Sequence, residues 1–427
     1  MKRITWKILI LAIAAGSVCP AVMAQEEERL NVWCWNPDVN FQALGQAAEL
    51  YGETHPEFQM ETVEVSWNEI REALDQAAKT GETDGLPDLL LMQNYGIQKY
   101  LTEAPELFTD LTDSGILFSD FEQGAVEFST SQEKNYGVPF EQGGMIACYR
   151  TDLLEELGYT AQDFTDITWG ELQAIGERIL AENGTPLLSW VKGDPGLILA
   201  MVQSAGGSLF DEKGNLNLAD NDVLKEAVRT YVSLVDSGVL REIEAWDEYD
   251  LYVEELIQGN VLGCVNTSGI LASFGQAEEQ EGKWGVTNLP ALENVESAGN
   301  YAGNGGTSWM VIEDGDTGTA VDFLASTFGG SQELYGTLIP LTAVAAAYEP
   351  AVQSGVYEET LAVSSDGAAL SKILEYSEKS LEIEKTAETG TAYYEGADAL
   401  AEAVNAVLDG TELDEALANA QAALNKK

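Results

Sequence analysis

Basic residues are scarce: 21 Lys and Arg stand against 72 Asp and Glu in 427 residues, a formal charge of −51 at pH 7. Such an excess repels phosphate backbones and anionic lipid, so no nucleic acid partner is expected. It admits a cleft for a cationic solute, but a heavily solvated acidic surface is the plainer reading. Histidine is scarcer still. The one copy, His55, stands before Pro56 at a helix end, so a Ser-His-Asp triad, a Cys-His pair or a multi-His metal site would have to be built on a residue with no supporting neighbours in sequence. Nucleotide loops are missing as well: Gly303-Asn-Gly-Gly306 precedes a strand rather than a helix, and no Gly-Lys-Ser/Thr occurs. Glu313-Asp-Gly-Asp-Thr-Gly318 lacks the terminal Glu of a calcium loop. No cofactor, no metal and no catalytic residue are therefore expected.

Long apolar runs are few. Lys2, Arg3 and Lys7, the run Ile8 to Ala15 and the small-residue end Val22-Met-Ala24 read as a secretory signal peptide over 1–24, cleaved after Ala24. Losing those three cations takes the formal charge from −51 to −54. Lipidation at Cys19 is the alternative, although Gly16-Ser-Val18 fits a lipidation box poorly. No later stretch reaches the ~20 apolar residues of a membrane span. The mature chain is expected outside the cytoplasm, secreted or attached to the outer face of the membrane, or in the periplasm of a two-membrane cell. Cysteine is rare too. Cys34, Cys148 and Cys264 each sit in an apolar, strand-like run; they read as buried free thiols, with a single bridge as the alternative.

What is present is enough apolar residue, 45%, for two cores. Leu30 to Trp35 reads as a strand, and Asn36-Pro37 opens a helix as cap and first residue. Phe58 to Val65 is a second strand, Ser66-Trp-Asn-Glu69 a capping box for a helix to about Lys79, and Leu86 to Met92 a buried strand. This βαβαβ order predicts a mostly parallel, helix-covered sheet. Tyr136-Gly-Val-Pro139 then reads as a crossing to a second body. Gly282 to Ala291 and Gly329-Gly-Ser331 read as two further crossings, so the lobes interleave: 25–137 with 286–329, and 138–285 with 330–427.

Gly137-Val-Pro139, the strand Met145 to Tyr149 leading into Arg150-Thr-Asp-Leu-Leu154, Gly158 and Thr168-Trp-Gly-Glu-Leu172 together resemble the family 1 extracellular solute-binding proteins of sugar ABC importers. These are similar to maltose-binding protein. The resemblance implies an α/β, two-lobed periplasmic-binding-protein-like fold of type II with a multi-strand hinge. It also implies a monomeric, non-catalytic receptor that takes a sugar or oligosaccharide in the interlobe cleft and delivers it to a membrane-embedded ABC permease. A receptor for a cationic solute such as a polyamine, and a secreted carbohydrate-active enzyme, are the alternatives.

Sugars offer C–H faces to aromatic rings and hydroxyls to amides and carboxylates. Such mixtures stand at element ends here, where α/β lobes bind ligands: Trp35, Asn36 and Asp38; Trp67; Asn94 and Tyr95; Glu141 and Gln142; Trp190 and Asp194; Trp246 and Asp247; Asn266; Asn304, Thr307 and Trp309; Tyr393 and Tyr394. Glu141 and Gln142 are the strongest candidates for polar contacts. Gly269 stands where the family often carries Trp.

Overall fold

The computed structural model describes residues 29–243, 249–313, 317–380 and 387–426. The signal-peptide reading, Cys19, and Trp246 with Asp247 lie outside the described residues. In chain order the strands are β1 (Arg29–Cys34), β2 (Gln59–Glu64), β3 (Leu89–Gln93), β4 (Thr130–Ser131), β5 (Lys134–Asn135), β6 (Gly137–Glu141), β7 (Met145–Arg150), β8 (Leu188–Val191), β9 (Leu240–Ile243), β10 (Gly263–Thr267), β11 (Trp284–Thr287) and β12 (Thr307–Val311). They form two five-stranded sheets, β2-β1-β3-β12-β6 and β11-β7-β10-β8-β9, and a small β4-β5 ribbon.

The first sheet follows from the βαβαβ pattern. Ser66 and Glu69 exchange their capping bonds, starting the helix Trp67–Thr80, which buries Trp67, Ile70, Leu74 and Ala77 at helical spacing. Gly81, at φ 71°, ends it. β1 pairs in parallel with β2 and β3. β3 is buried on both faces: Leu89 and Leu91 enter one core with Trp309 and Phe323, and Leu90 and Met92 enter another with Trp67 and Tyr100. The sheet is mixed rather than mostly parallel, because β12 returns from the second body and inserts antiparallel between β3 and β6. A second core gathers Tyr149, Leu188, Leu224, Tyr231 and Leu400 around the other sheet.

The crossings lie elsewhere than the glycines and prolines suggest. Gly137-Val-Pro139 is a ladder segment of the first sheet; Pro139 is tolerated opposite Ser308 beside an irregularity in the register. The chain leaves that sheet only after Glu141, through Gln142–Gly144. The return runs past an isolated bridge between Gly144 and Gly303, not at Gly282 to Ala291, whose β11 pairs with β7 inside the second sheet. Gly329 to Ser331 merely joins two helices. The one that follows, Gln332–Thr342, still packs on Gln42–Gly52 beside the first sheet, and Glu141 is bridged to Ala346 beyond it. The chain reaches the second sheet near Ser364, bridged to Trp284. Boundaries at 137/138, 285/286 and 329/330 therefore do not coincide with changes of sheet. The long helix Ala387–Leu408 belongs to neither body alone: Leu400, Ala403 and Val404 lie in the second core, while Tyr394 packs against Trp67. Among the described residues, no helix is long and apolar enough to cross a membrane.

Candidate ligand-binding cleft

Register places three polar side chains side by side at one edge of the first sheet. Gln93 ends β3 opposite Thr307, which starts β12 and stands in turn opposite Glu141 at the end of β6. Thr307 Oγ1 donates to Glu141 Oε1 at 3.4 Å. Glu141 is partly open to solvent yet crowded by protein, and desolvation pushes its carboxyl up from 4.5 to about 7, against the lowering effect of the Thr307 bond. The turn that delivers Thr307 is made of glycine for steric reasons. A Cβ on Gly306 would lie 2.0 Å from the Glu141 carbonyl oxygen, and one on Gly143 would lie 2.1 Å from Asn304 Oδ1.

The raised Glu141 carboxyl has a signed consequence. Its folded value exceeds its unfolded one, so the stability it contributes is full below about pH 4.5 and is lost as pH rises through about 7. Discounted for partial solvent access, the loss is about 2 kcal/mol. Urea unfolding of Glu141→Gln across this window is expected to lack that fall; an unchanged pH profile would show that Glu141 is not the group responsible.

The loop after β1 is the other wall of this edge. Asn36 reads from sequence as a helix cap. It does stand at the N-cap of the short π-helical turn Pro37–Phe41, but at φ 51° its side chain makes no capping bond. Its Oδ1 is buried with no partner. Trp35 leans on Trp67, with centroids 5.9 Å apart, and Trp67 on Tyr394 at 6.0 Å. Tyr394 donates to Gln93 Oε1 at 2.6 Å, lies under Arg71 at 4.2 Å, and meets Tyr393 edge-on at 5.3 Å. Tyr393 in turn lies 4.6 Å from Tyr95. Burial raises the phenols of Tyr95, Tyr393 and Tyr394 well above their ordinary range, so all three stay neutral donors.

Facing this wall from the second sheet is the end of β10. Asn266 Oδ1 accepts from the Thr267 N–H at 2.8 Å, which fixes the amide orientation and leaves Nδ2 buried without a partner. The two loops approach closely: a Cβ on Gly269 would come 2.9 Å from Val39 Cγ2. A side chain at 269 would have to displace the Val39 side chain.

Several candidates are spent on structure instead. Asn94 is fully buried; its Nδ2 donates to the Gly305 carbonyl at 2.7 Å and its Oδ1 accepts from Ser308 Oγ at 2.7 Å. Gln142 donates to the Ala346 carbonyl and accepts from Ser377 Oγ, so it ties the crossing to two later segments rather than presenting its amide. Trp309 has no exposed surface and packs between Phe140 and Phe328 in the first core. Trp190 is buried in the second core and donates Nε1 to the Asp194 carbonyl at 2.9 Å, while Asp194 Oδ1 accepts from Gly196 N at the start of the next helix. Asn304 Oδ1 accepts from Gly306 N within its own turn. Asp38 is half-buried in the Pro37–Phe41 turn beside Asn36. Gln93 and Arg71, which hold Tyr394 in place, were not anticipated; a Gln closing a strand and an Arg in mid-helix carry no motif.

Two five-stranded sheets, joined by crossings at 142–144 and 303–306, with unspent polar atoms on facing loops, define a two-lobed binding protein. Residues 46–359 match the family of bacterial extracellular solute-binding proteins. The chain belongs to that family. It is 32% identical to the lactose-binding protein of Rhizobium radiobacter over 339 residues, 79% of each chain. Among solved structures it is similar to the ABC-transporter-associated binding protein of B. animalis subsp. lactis in complex with β-1,6-galactobiose. The TM-score there is 0.77 at 19% identity, covering 93% of this chain and 96% of that one. It is also similar to maltose-bound MalE3 of T. maritima, with TM-score 0.73, 20% identity, and 93% and 99% covered. At these identities the structural likenesses establish the fold.

Proposed function

We propose that this chain is the sugar receptor of an ABC importer, working outside the cytoplasm after loss of its leader, as a monomer that closes its lobes over a di- or oligosaccharide and presents it to a permease. The observation that carries the reading is the pair of unspent polar atoms, Asn36 Oδ1 and Asn266 Nδ2, an acceptor and a donor on facing loops. A buried polar atom without a partner costs about 1–3 kcal/mol, and a sugar hydroxyl, which both donates and accepts, satisfies either one. Trp35, Tyr393 and Tyr394, the half-buried members of the aromatic row beside them, offer ring surface for sugar C–H groups, while Trp67 and Tyr95 are buried. Burial raises the Glu141 carboxyl to about 7, and a carboxyl that keeps its proton can donate to a sugar hydroxyl as well as accept from it. The lactose-binding relative makes a galactoside the first candidate.

Thermal unfolding with a panel of galactosides, glucosides and polyamines tests the substrate class. A sugar at ~100 times its Kd should add about 2.7 kcal/mol and raise Tm by several degrees, and the sugar should be recovered uncleaved. A rise with a polyamine alone, or release of reducing sugar, would overturn the reading.

A further inference from the structure

We propose that Cys148 and Cys264 close to a disulfide across β7 and β10 when the protein is made in an oxidising compartment, stapling the sheet that carries Asn266. The two residues stand directly opposite each other in the antiparallel ladder, and their sulfurs lie 3.4 Å apart. Directly opposed residues in such a ladder have Cα atoms about 4.5–5.5 Å apart, inside the ~4.4–6.8 Å range that a disulfide spans, so side-chain rotation brings the sulfurs to bonding distance without moving the strands. Cys34 cannot compete, because it ends β1 in the other sheet. The family works outside the cytoplasm, where thiols meet disulfide oxidants.

The co-reactant is a protein or small-molecule disulfide, RSSR. One cysteine loses its proton and attacks a sulfur of RSSR, expelling the first thiol, RSH, and leaving a mixed disulfide. The second cysteine then loses its proton and attacks the chain's own sulfur in that mixed disulfide, forming the Cys148–Cys264 bond and releasing the second RSH. Two thiols of the chain are oxidised and one RSSR is reduced to two RSH. Both cysteines are without exposed surface in the finished sheet, and burial raises the Cys148 thiol well above its ordinary value. The exchange therefore belongs to folding, before β10 docks on β7. The residues are 116 apart in sequence, so the bridge closes a long loop and restricts the unfolded chain strongly.

The test is thiol counting on the full chain secreted into an oxidising compartment, unfolded in denaturant with iodoacetamide and no reductant, then digested for mass spectrometry. Alkylation of Cys34 alone, with a linked peptide pair containing Cys148 and Cys264, is the expected result; prior reduction should release both. Full alkylation of all three without reductant, or a bridge that includes Cys34, would overturn the proposal. Reduction is also expected to lower Tm by about 5 °C or more in the wild type and to leave Tm unchanged in a Cys148→Ala/Cys264→Ala variant. Equal shifts in both would contradict the bridge.

Discussion

Glycine at Asn36 together with alanine at Asn266 is expected to weaken sugar binding by about 100-fold, roughly tenfold from each, while Tm without ligand changes little or rises. Glycine is the appropriate replacement at 36 because φ there is 51°, where a Cβ is strained. Each substitution removes a buried polar atom that has no protein partner; Asn266→Ala also gives up the Oδ1 acceptor of the Thr267 N–H, about 1 kcal/mol, which offsets the gain from removing the orphaned Nδ2 and leaves Tm little moved. The sugar hydroxyl that met it is left unsatisfied in the closed cleft, at about 1–3 kcal/mol each. The loops belong to different sheets, so the losses should add unless closure itself fails. Titration calorimetry of the single and double variants checks this; unchanged affinity in both singles would remove these atoms from the binding site.

Alanine at Trp309 is expected to do the opposite. This Trp follows a Gly-rich turn and stands at an element end in sequence, like the other aromatic candidates, yet it is the third residue of β12 and points into the first core. There it packs against Phe140 at 6.0 Å and Phe328 at 5.3 Å. Truncation should leave a large cavity and cost about 3–5 kcal/mol. Urea unfolding should show that loss, with sugar affinity of the folded fraction within about twofold of wild type. A large fall in affinity with no loss of stability would return Trp309 to the cleft.

The contrast between Asn36 and Trp309 shows what local sequence conveys. The strands and helices are readable from apolar periodicity and caps: the helix capped by Ser66 with Glu69 and the apolar run of β3 form as their patterns dictate. The order of those elements, with the segments from Tyr136 to Pro139 and from Met145 to Leu172, indicates two interleaved lobes. Strand identity alone does not say where the chain changes sheets. Gly137-Val-Pro139 looks like a linker because Pro and Gly disfavour ladders, but β12 supplies an antiparallel neighbour 166 residues away from Glu141 that accommodates it. The polar candidates divided on a similar long-range fact. Asn94 and Gln142 have amides of the same chemistry as Asn36 and Asn266. They are engaged by Gly305, Ser308, Ala346 and Ser377, all more than 200 residues downstream. Which amides stay free is decided by those distant partners.

A sugar held between the two sheets is the central expectation. Calorimetric titration of the mature protein with lactose and other galactosides tests it most directly. Saturable one-to-one binding at micromolar Kd or tighter is expected for at least one of these sugars, weakened about 100-fold in the Asn36→Gly/Asn266→Ala variant. No heat with any sugar, alongside saturable binding of a polyamine, would contradict it.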